Sequence, residues 1–253
     1  MLNVVITAPR GKMGRLNAQA AIKSEDIRLA GCIGPAGRDY IGKDAGLVSG
    51  MGEPCGALCY GDIEEIIGEC DMVIDFSAVA LSRGMIRACV RHKKALICGT
   101  TGFGEEDTAI FVEAAKKIPL LRAANTSYMS NVMTEMVKLA AKALKDHCKV
   151  EIIDYHDEKK VDAPSGTAKE FGETISEASG KNISEIDFHS IRAGDISSTH
   201  TILFGAMGER LEVTHRTYNW ECCARGAMDA ARFLAGKPAG AYTMEDVIRI
   251  GDG

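Results

Sequence analysis

Asn3-Val4-Val5-Ile6-Thr7-Ala8-Pro9-Arg10-Gly11-Lys12-Met13-Gly14 is the stretch on which the reading of the fold turns. An apolar, β-branched run passes directly into a Pro/Gly turn and then into a helical pattern from Gly11 to Lys23. A strand that feeds a glycine-containing turn at the start of a helix lets backbone N–H groups and the helix N-terminus meet a pyrophosphate. Ala8 stands where the usual G-x-G-x-x-G pattern has its first glycine, so these residues also read as a tight turn with no ligand. The rest of the first half decides between the two.

Outward from this turn, short apolar runs alternate with helical patterns. Strands are expected at Asn3 to Thr7, Ile27 to Ile33, Met72 to Phe76, Ala95 to Cys98 and Pro119 to Ala123. Helices are expected at Gly11 to Lys23, Asp62 to Glu69, Ala80 to His92 and Glu105 to Lys117. Continuous apolar strands separated by helices are the pattern of a parallel sheet covered on both faces, and here they predict a Rossmann-like doubly wound α/β unit. After Asn125 the pattern changes. An amphipathic helix from Asn131 to Lys145 precedes a strand (Lys149 to Tyr155), a helix (Thr167 to Ser179) and three strands in a row (Asp187 to Arg192, Thr199 to Gly205, Glu209 to Arg216). This predicts an α+β unit with a mixed or antiparallel sheet and helices on one face. A last helix, Glu221 to Leu234, and a tail from Tyr242 to Ile250 follow. The expected division is a dinucleotide-binding domain over 1–126, completed by 218–253, and a substrate-binding and oligomerisation domain over 127–217.

The composition narrows the function. With 253 residues, 30 Lys+Arg and 35 Asp+Glu, the formal charge is -5, so no chain-wide positive field exists to hold nucleic acid or an anionic membrane. No apolar run reaches the length of a membrane span and no leader pattern opens the chain, so the expected compartment is the cytoplasm. Nine cysteines, an odd number with Cys222 and Cys223 adjacent, are expected to be reduced. Cys55 and Cys59 form a C-x3-C without a second half, so no metal site is expected. A small-molecule role is the default.

Three groups of residues carry chemistry. In dinucleotide folds an acid about 20 residues after the glycines binds the adenosine ribose; here that position falls at Gly34-Pro35. With no acid there, and with Arg10, Lys12 and Arg38 nearby, the turn suits a 2'-phosphate, although three cations on ordinary surface would look the same. The second group, Tyr155-His156-Asp157-Glu158-Lys159-Lys160-Val161-Asp162-Ala163-Pro164-Ser165-Gly166-Thr167, places a His four residues before a Lys and ends in a turn that opens a helix. His156 can exchange a proton near neutral pH, Lys160 supplies a point charge, and Ser165, Gly166 and Thr167 can hold a carboxylate at a positive helix end. The same string also reads as a polar loop with Ser165 as N-cap. The third group, Cys98-Gly99-Thr100-Thr101-Gly102-Phe103, ends the fourth strand, where open α/β sheets bind ligands; Cys98 itself reads as a buried small hydrophobe. His92, His147, His189, His200 and His215 read as structural or surface residues.

Taken with Ala123-Ala124-Asn125, Arg192-Ala193-Gly194-Asp195, His200-Thr201 and Gly208-Glu209-Arg210-Leu211-Glu212, and above all with Lys160-Val161-Asp162-Ala163-Pro164-Ser165-Gly166-Thr167-Ala168, these strings resemble dihydrodipicolinate reductase over essentially the whole chain. The resemblance implies hydride transfer from NADH or NADPH to C4 of a cyclic imine dicarboxylate in lysine and diaminopimelate biosynthesis. It implies His156 as proton donor or acceptor and Lys160 as proton donor and carboxylate partner, with Ser165, Gly166, Thr167 and Thr101 on the substrate. It implies Ala8 to Met13, Gly34, Gly99, Thr100, Thr101, Ala123, Ala124, Asn125 and Thr126 along the cofactor, and a homotetramer. The family commonly has a second His directly after the first. Asp157 stands there instead and would repel a dianionic substrate unless protonated or turned toward Lys159 or Lys160. That departure keeps open a related imine or amino-acid dehydrogenase, and beside it a non-catalytic dinucleotide sensor.

Overall fold

The computed structural model describes residues 1–248; the expected tail and C-terminal segment beyond Ile248 lie outside them. These residues form two compact units, one made of 1–127 with 221–248 and the other of Tyr128–Trp220.

In the first unit the elements are β1 (Leu2–Thr7), α1 (Lys12–Ile22), β2 (Ile27–Ile33), α2 (Ala45–Val48), β3 (Leu58–Tyr60), β4 (Met72–Asp75), α3 (Val79–His92), β5 (Ala95–Cys98), α4 (Thr108–Ala115) and β6 (Pro119–Arg122). The second unit holds α5 (Tyr128–Leu144), β7 (Lys149–His156), α6 (Gly166–Ser179), β8 (Ile186–Arg192), β9 (Ser198–Ala206) and β10 (Glu209–Thr217). The chain then supplies α7 (Glu221–Leu234), β11 (Gly240–Tyr242) and α8 (Met244–Ile248) to the first unit.

The first sheet runs β11-β6-β5-β4-β1-β2-β3, and all its pairings are parallel. Successive strand residues point to opposite faces, and here both faces are covered. Val4, Ile6, Met72, Ile74 and Ile97 pack on the side that takes Ala18 and Ala21 of α1 and Ala227 and Ala231 of α7. Val5, Val73 and Leu96 pack on the side of Met85 and Ile86 of α3 and Phe111 of α4. Burial on two faces is why these strands read as continuous apolar runs, each buried Val or Ile contributing about 1.5–3 kcal/mol. Ile74→Ala, at a fully buried position, would remove roughly 2–5 kcal/mol.

Two departures from the sequence reading have local causes. The helix expected over Asp62 to Glu69 is a pair of 3-10 turns, Ile63–Glu65 and Ile67–Glu69. Asp62 and Glu65 close a capping box within one turn and Ile66 leaves helical geometry with φ -133, which lets Ile63, Ile66 and Ile67 all enter the core. The sheet also has seven strands rather than five. The edge strands β3 and β11 are three residues each, too short to show periodicity. The loop before β3 is organised by Asp44, whose carboxylate accepts from the backbone N–H groups of Gly46, Leu47, Cys55 and Gly56.

The second sheet is mixed, in the order β10-β9-β7-β8, with β7 and β8 parallel and the other two pairs antiparallel. Val150, Ile152, Ile202 and Phe204 on one face meet Met133 and Val137 of α5 and Phe171 and Ile175 of α6. The strand β7 alternates buried and half-buried residues along its length, and its buried row ends in Asp154 and His156.

Candidate active site

In the first unit the chain order reverses between β1 and β4, so the crevice that open α/β sheets offer to ligands lies beyond Thr7 and Asp75. The turn after β1 is shaped for close approach. Ala8 takes φ 53, a left-handed conformation that glycine adopts more readily, and its carbonyl accepts from Gly11 N–H at 2.8 Å. A Cβ on Gly14 would lie 2.0 Å from the Ala8 carbonyl oxygen, so only glycine lets α1 begin this close to the strand. Gly11 caps α1 with its backbone alone, leaving the first-turn N–H groups directed at the crevice. This cradle fits a pyrophosphate, with Pro9, Arg10, Lys12 and Met13 around it.

At the end of β2 the sequence reading is corrected. Arg10 is not an isolated cation, because its guanidinium meets Asp39 at 2.6 Å and lies over the Tyr40 ring at 5.0 Å. The Arg10 guanidinium holds the Asp39 carboxyl below its usual range. Tyr40 in turn packs so closely on Gly34 that a Cβ there would fall 2.0 Å from its hydroxyl. A carboxylate therefore does stand at this edge, five residues past the position where the family pattern looks for one.

Asp75 is fully buried and is a joint for the carboxyl ends of three strands. Its carboxylate accepts from Thr7 Oγ1 at 2.7 Å, Ser77 Oγ at 2.6 Å and Thr100 Oγ1 at 3.2 Å, and from the hydroxyl of Ser82. Thr7 and Thr100 pass the connection on, accepting from Phe76 N–H and Ser77 N–H. Gly99 has no room for a side chain because a Cβ would sit 2.1 Å from the Phe76 ring. Thr100 is thus turned inward, while Thr101 is exposed. Burial pushes the Cys98 thiol up to about 12, consistent with a core residue.

After β6, Ala124 is exposed and Ala123 and Asn125 are half-buried. Thr126 is buried, its hydroxyl donating to the Cys223 carbonyl at 2.7 Å. The Cys222 and Cys223 sulfurs lie 3.9 Å apart at the start of α7, and Cys223 Sγ lies 3.6 Å from Asn125 Oδ1.

In the second unit the polar residues gather around Asp154. It accepts from Ser190 Oγ at 2.5 Å, from Arg192 Nη2 at 3.1 Å and from Ser165 N–H at 3.3 Å. Burial alone would raise its pKa, but the Ser190 hydroxyl and the Arg192 guanidinium outweigh it and the carboxyl is held below its usual range. His156, two residues on and buried on the same face, brings Nδ1 to 3.2 Å from Asp154 Oδ2 without hydrogen-bond alignment. Burial, followed by the charge of Lys160, lowers the His156 pKa, and Asp154 opposes both.

His200 completes the group. Strand register sets it opposite Asp154, with its ring edge-on to His156 at 5.4 Å and its Nε2 3.1 Å from Ser165 Oγ. Burial, and next the neighbouring His156, lowers it to about 4. His200, read from the sequence as a structural or surface residue, is buried and stands in this polar group; Asp154 was missed, and Arg192 entered only within the strings that carry the resemblance, with no role. The available signal was a D-x-H pair ending a strand whose buried face is otherwise apolar. The ligand atoms of Asp154, His156 and His200 lie within 4.8 Å of one another, but Arg192 already supplies the positive charge beside Asp154.

The expected cradle residues separate into two roles. Ser165 is buried and caps α6, its hydroxyl accepting from Ala168 N–H at 3.2 Å. Gly166 and Thr167 open the helix, exposed and half-exposed, with first-turn N–H groups that can meet an anion. Lys160 Nζ is 2.8 Å from Asp162 Oδ1, so its ammonium is held at the same loop. Asp157 accepts from Lys159 N–H at 2.9 Å. Its carboxylate closes its own turn, which weakens the expectation that it confronts a substrate.

The family models described as dihydrodipicolinate reductase, N-terminus and C-terminus, match residues 2–126 and 130–248. The 4-hydroxy-tetrahydrodipicolinate reductase of Syntrophotalea carbinolica is 37% identical over 265 residues, covering 98% of this chain and 99% of that protein. The Burkholderia mallei protein of the same name is 38% identical over 264 residues, covering 98% of each. Among solved structures, dipicolinate-bound dihydrodipicolinate reductase from Paenisporosarcina sp. TG-14 has TM-score 0.81 at 23% identity over 98% of this chain and 99% of that one. An amine dehydrogenase from Mycobacterium smegmatis has TM-score 0.64 at 12% identity, covering 97% and 95%, and shares the fold alone. Both halves of the chain are matched by the two family models and its full length by such relatives, and the chain belongs to the dihydrodipicolinate reductase family.

Proposed function

We infer that this protein is an NAD(P)H-dependent oxidoreductase that reduces 4-hydroxy-tetrahydrodipicolinate to tetrahydrodipicolinate, a step of lysine and diaminopimelate biosynthesis. The observation that carries the reading is His156 at the end of β7 and Lys160 on the loop that leads from it to the open N-terminus of α6, in a chain whose relatives bear that activity's name. A reduced nicotinamide supplies the hydride when bound. The glycine turn and the N-terminus of α1 hold its pyrophosphate, and Gly99 to Thr101 with Ala123 to Thr126 form the strip beside it, Asp75 fixing Thr100 from below.

On the substrate side Gly166 and Thr167 take one carboxylate at the positive end of α6. Lys160, released from Asp162, pairs with the anionic substrate and donates a proton. His156, whose pKa burial lowers, exchanges a proton near the reacting atoms, with the Asp154 carboxylate and the edge of the His200 ring beside it. The unit of 1–127 with 221–248 is the dinucleotide domain in this reading, and Tyr128–Trp220 is the substrate and oligomerisation domain.

A homotetramer is supported by β10, a nine-residue open edge of the second sheet with exposed Leu211. Met136 and Leu139 are exposed on α5, which packs beside it; a long edge of this kind needs a cover. The cytoplasm is supported by nine cysteines that all remain thiols. No helix among the described residues is long and apolar enough to cross a membrane. Arg10 and Arg38 favour NADPH, and Asp39 opposes that preference.

The test is an assay that supplies freshly made 4-hydroxy-tetrahydrodipicolinate with NADPH or NADH. Substrate-dependent oxidation of the dinucleotide is expected. No oxidation of either cofactor would sink the assignment.

A further inference from the structure

Cys222 and Cys223 play no part in the chemistry above, yet they lie at the carboxyl edge of the dinucleotide sheet. Their sulfurs are 3.9 Å apart. A tetrahedral centre with metal–sulfur bonds of about 2.3 Å separates its two sulfur ligands by about 3.8 Å, so the pair already stands at chelating distance. A carbonyl oxygen, Asn125 Oδ1, lies 3.6 Å from Cys223 Sγ and is itself fixed by Ser127 N–H at 2.9 Å. Adjacent cysteines are poorly placed for a disulfide with each other, since neighbouring Cα atoms are closer than such a bond spans. Chelation asks for no such span.

We propose that Cys222 and Cys223 form a two-thiolate site for a thiophilic d10 cation such as Zn2+, with Asn125 Oδ1 beside it, and that filling this site weakens dinucleotide binding. Two metal–sulfur bonds form and the two thiol protons leave to solvent. The coupling follows from shared residues: Asn125 would turn toward the metal, and Thr126 is tied to the Cys223 carbonyl. Both belong to the strip assigned to the cofactor, so this half of the proposal rests on the function inferred above. The thiol site itself does not.

The experiment uses the reduced full-length protein in a phosphine reductant. Cd2+ is titrated while the thiolate-to-cadmium charge-transfer absorbance is read, a signal that histidines and carboxylates do not produce. Wild type is expected to show the band saturating at one Cd2+ per chain, Cys222→Ser to lose it, and Cys32→Ser to keep it. Cys32 is the control because it faces Cys59 across β2 and β3 in the core. NADPH binding, followed by its fluorescence, is expected to weaken about tenfold at saturating Zn2+ in wild type and to be unchanged by Zn2+ in Cys222→Ser. Absence of the band, or its survival in Cys222→Ser, overturns the site. A normal band with unaltered NADPH affinity overturns the coupling. If metal-free protein fails to bind NADPH, the dinucleotide reading fails while the cadmium band still decides the thiol site.

Discussion

Each unit buries one carboxylate beneath its candidate site, and the two are satisfied in opposite ways. Asp75 is surrounded by the hydroxyls of Thr7, Ser77, Ser82 and Thr100. Asp154 is paired with the Arg192 guanidinium and flanked by His156 and His200. Hydroxyls can join three strand ends into one rigid floor. An ion pair beside imidazoles also sets the protonation of its neighbours, because charge acts on titration and neutral hydroxyls do so weakly. In the proposed function, the first arrangement serves to hold a ligand still and the second to move a proton.

The sharpest break of this comparison is Asp154→Asn. Losing one partner of a buried pair leaves Arg192 uncompensated, and the second unit is expected to lose about 3–5 kcal/mol, measured by urea unfolding. The same variant loses the charge that raises the His156 pKa. Where enough folds to assay, the pH limb of kcat/KM assigned to His156 should move to lower pH. A limb that stays in place would make Asp154 a purely structural residue.

Acid titration separates the units further. His200 has a folded pKa of about 4 against about 6.5 in the unfolded chain. The fold thus favours its neutral form, and the stabilisation is complete above pH 6.5 and lost as pH falls toward 4, by about 3 kcal/mol. The lowered Asp154 adds a loss of the same sign at lower pH. In His200→Asn the drop in stability between pH 6.5 and 4 should shrink, and an unchanged drop would assign it elsewhere.

Lys160→Ala is expected to lower turnover about 100-fold or more, equivalent to about 2.7 kcal/mol, with the fold intact because the Lys160–Asp162 pair is on an accessible loop. Near-normal turnover would refute the carboxylate cradle. Asp75→Asn should cost about 1–2 kcal/mol of stability and raise the Michaelis constant for the dinucleotide more than it lowers kcat. If kcat alone fell, the view of Asp75 as a floor for the cofactor would fail. The smallest effect belongs to Asp39→Ala. Removing the exposed partner of Arg10 should raise kcat/KM for NADPH over NADH by about threefold, a gain that fades as salt rises. A ratio that ignores both the substitution and the salt would place the ribose contacts elsewhere.

The sequence by itself determined the doubly wound sheet, because burial on both faces writes continuous apolar runs at Val4 to Ile6, Met72 to Ile74 and Leu96 to Cys98. It also marked Gly14 and Gly99, where the Ala8 carbonyl and the Phe76 ring leave no room for a side chain, and the Lys160 to Thr167 loop, whose residues are contiguous. Tertiary structure alone decided the rest. His200 and Arg192 reach Asp154 and His156 only through the register of β7 with β9 and β8. Asp39 reaches Arg10 across 29 positions, and Asp75 reaches Thr7 across 68. Ser165, whose type suited either an anion or a helix cap, took the cap because its buried hydroxyl lies between Ala168 N–H and His200. A hydrogen bond across strands depends on which residues pairing brings opposite, and a single sequence read along its length carries no record of that pairing.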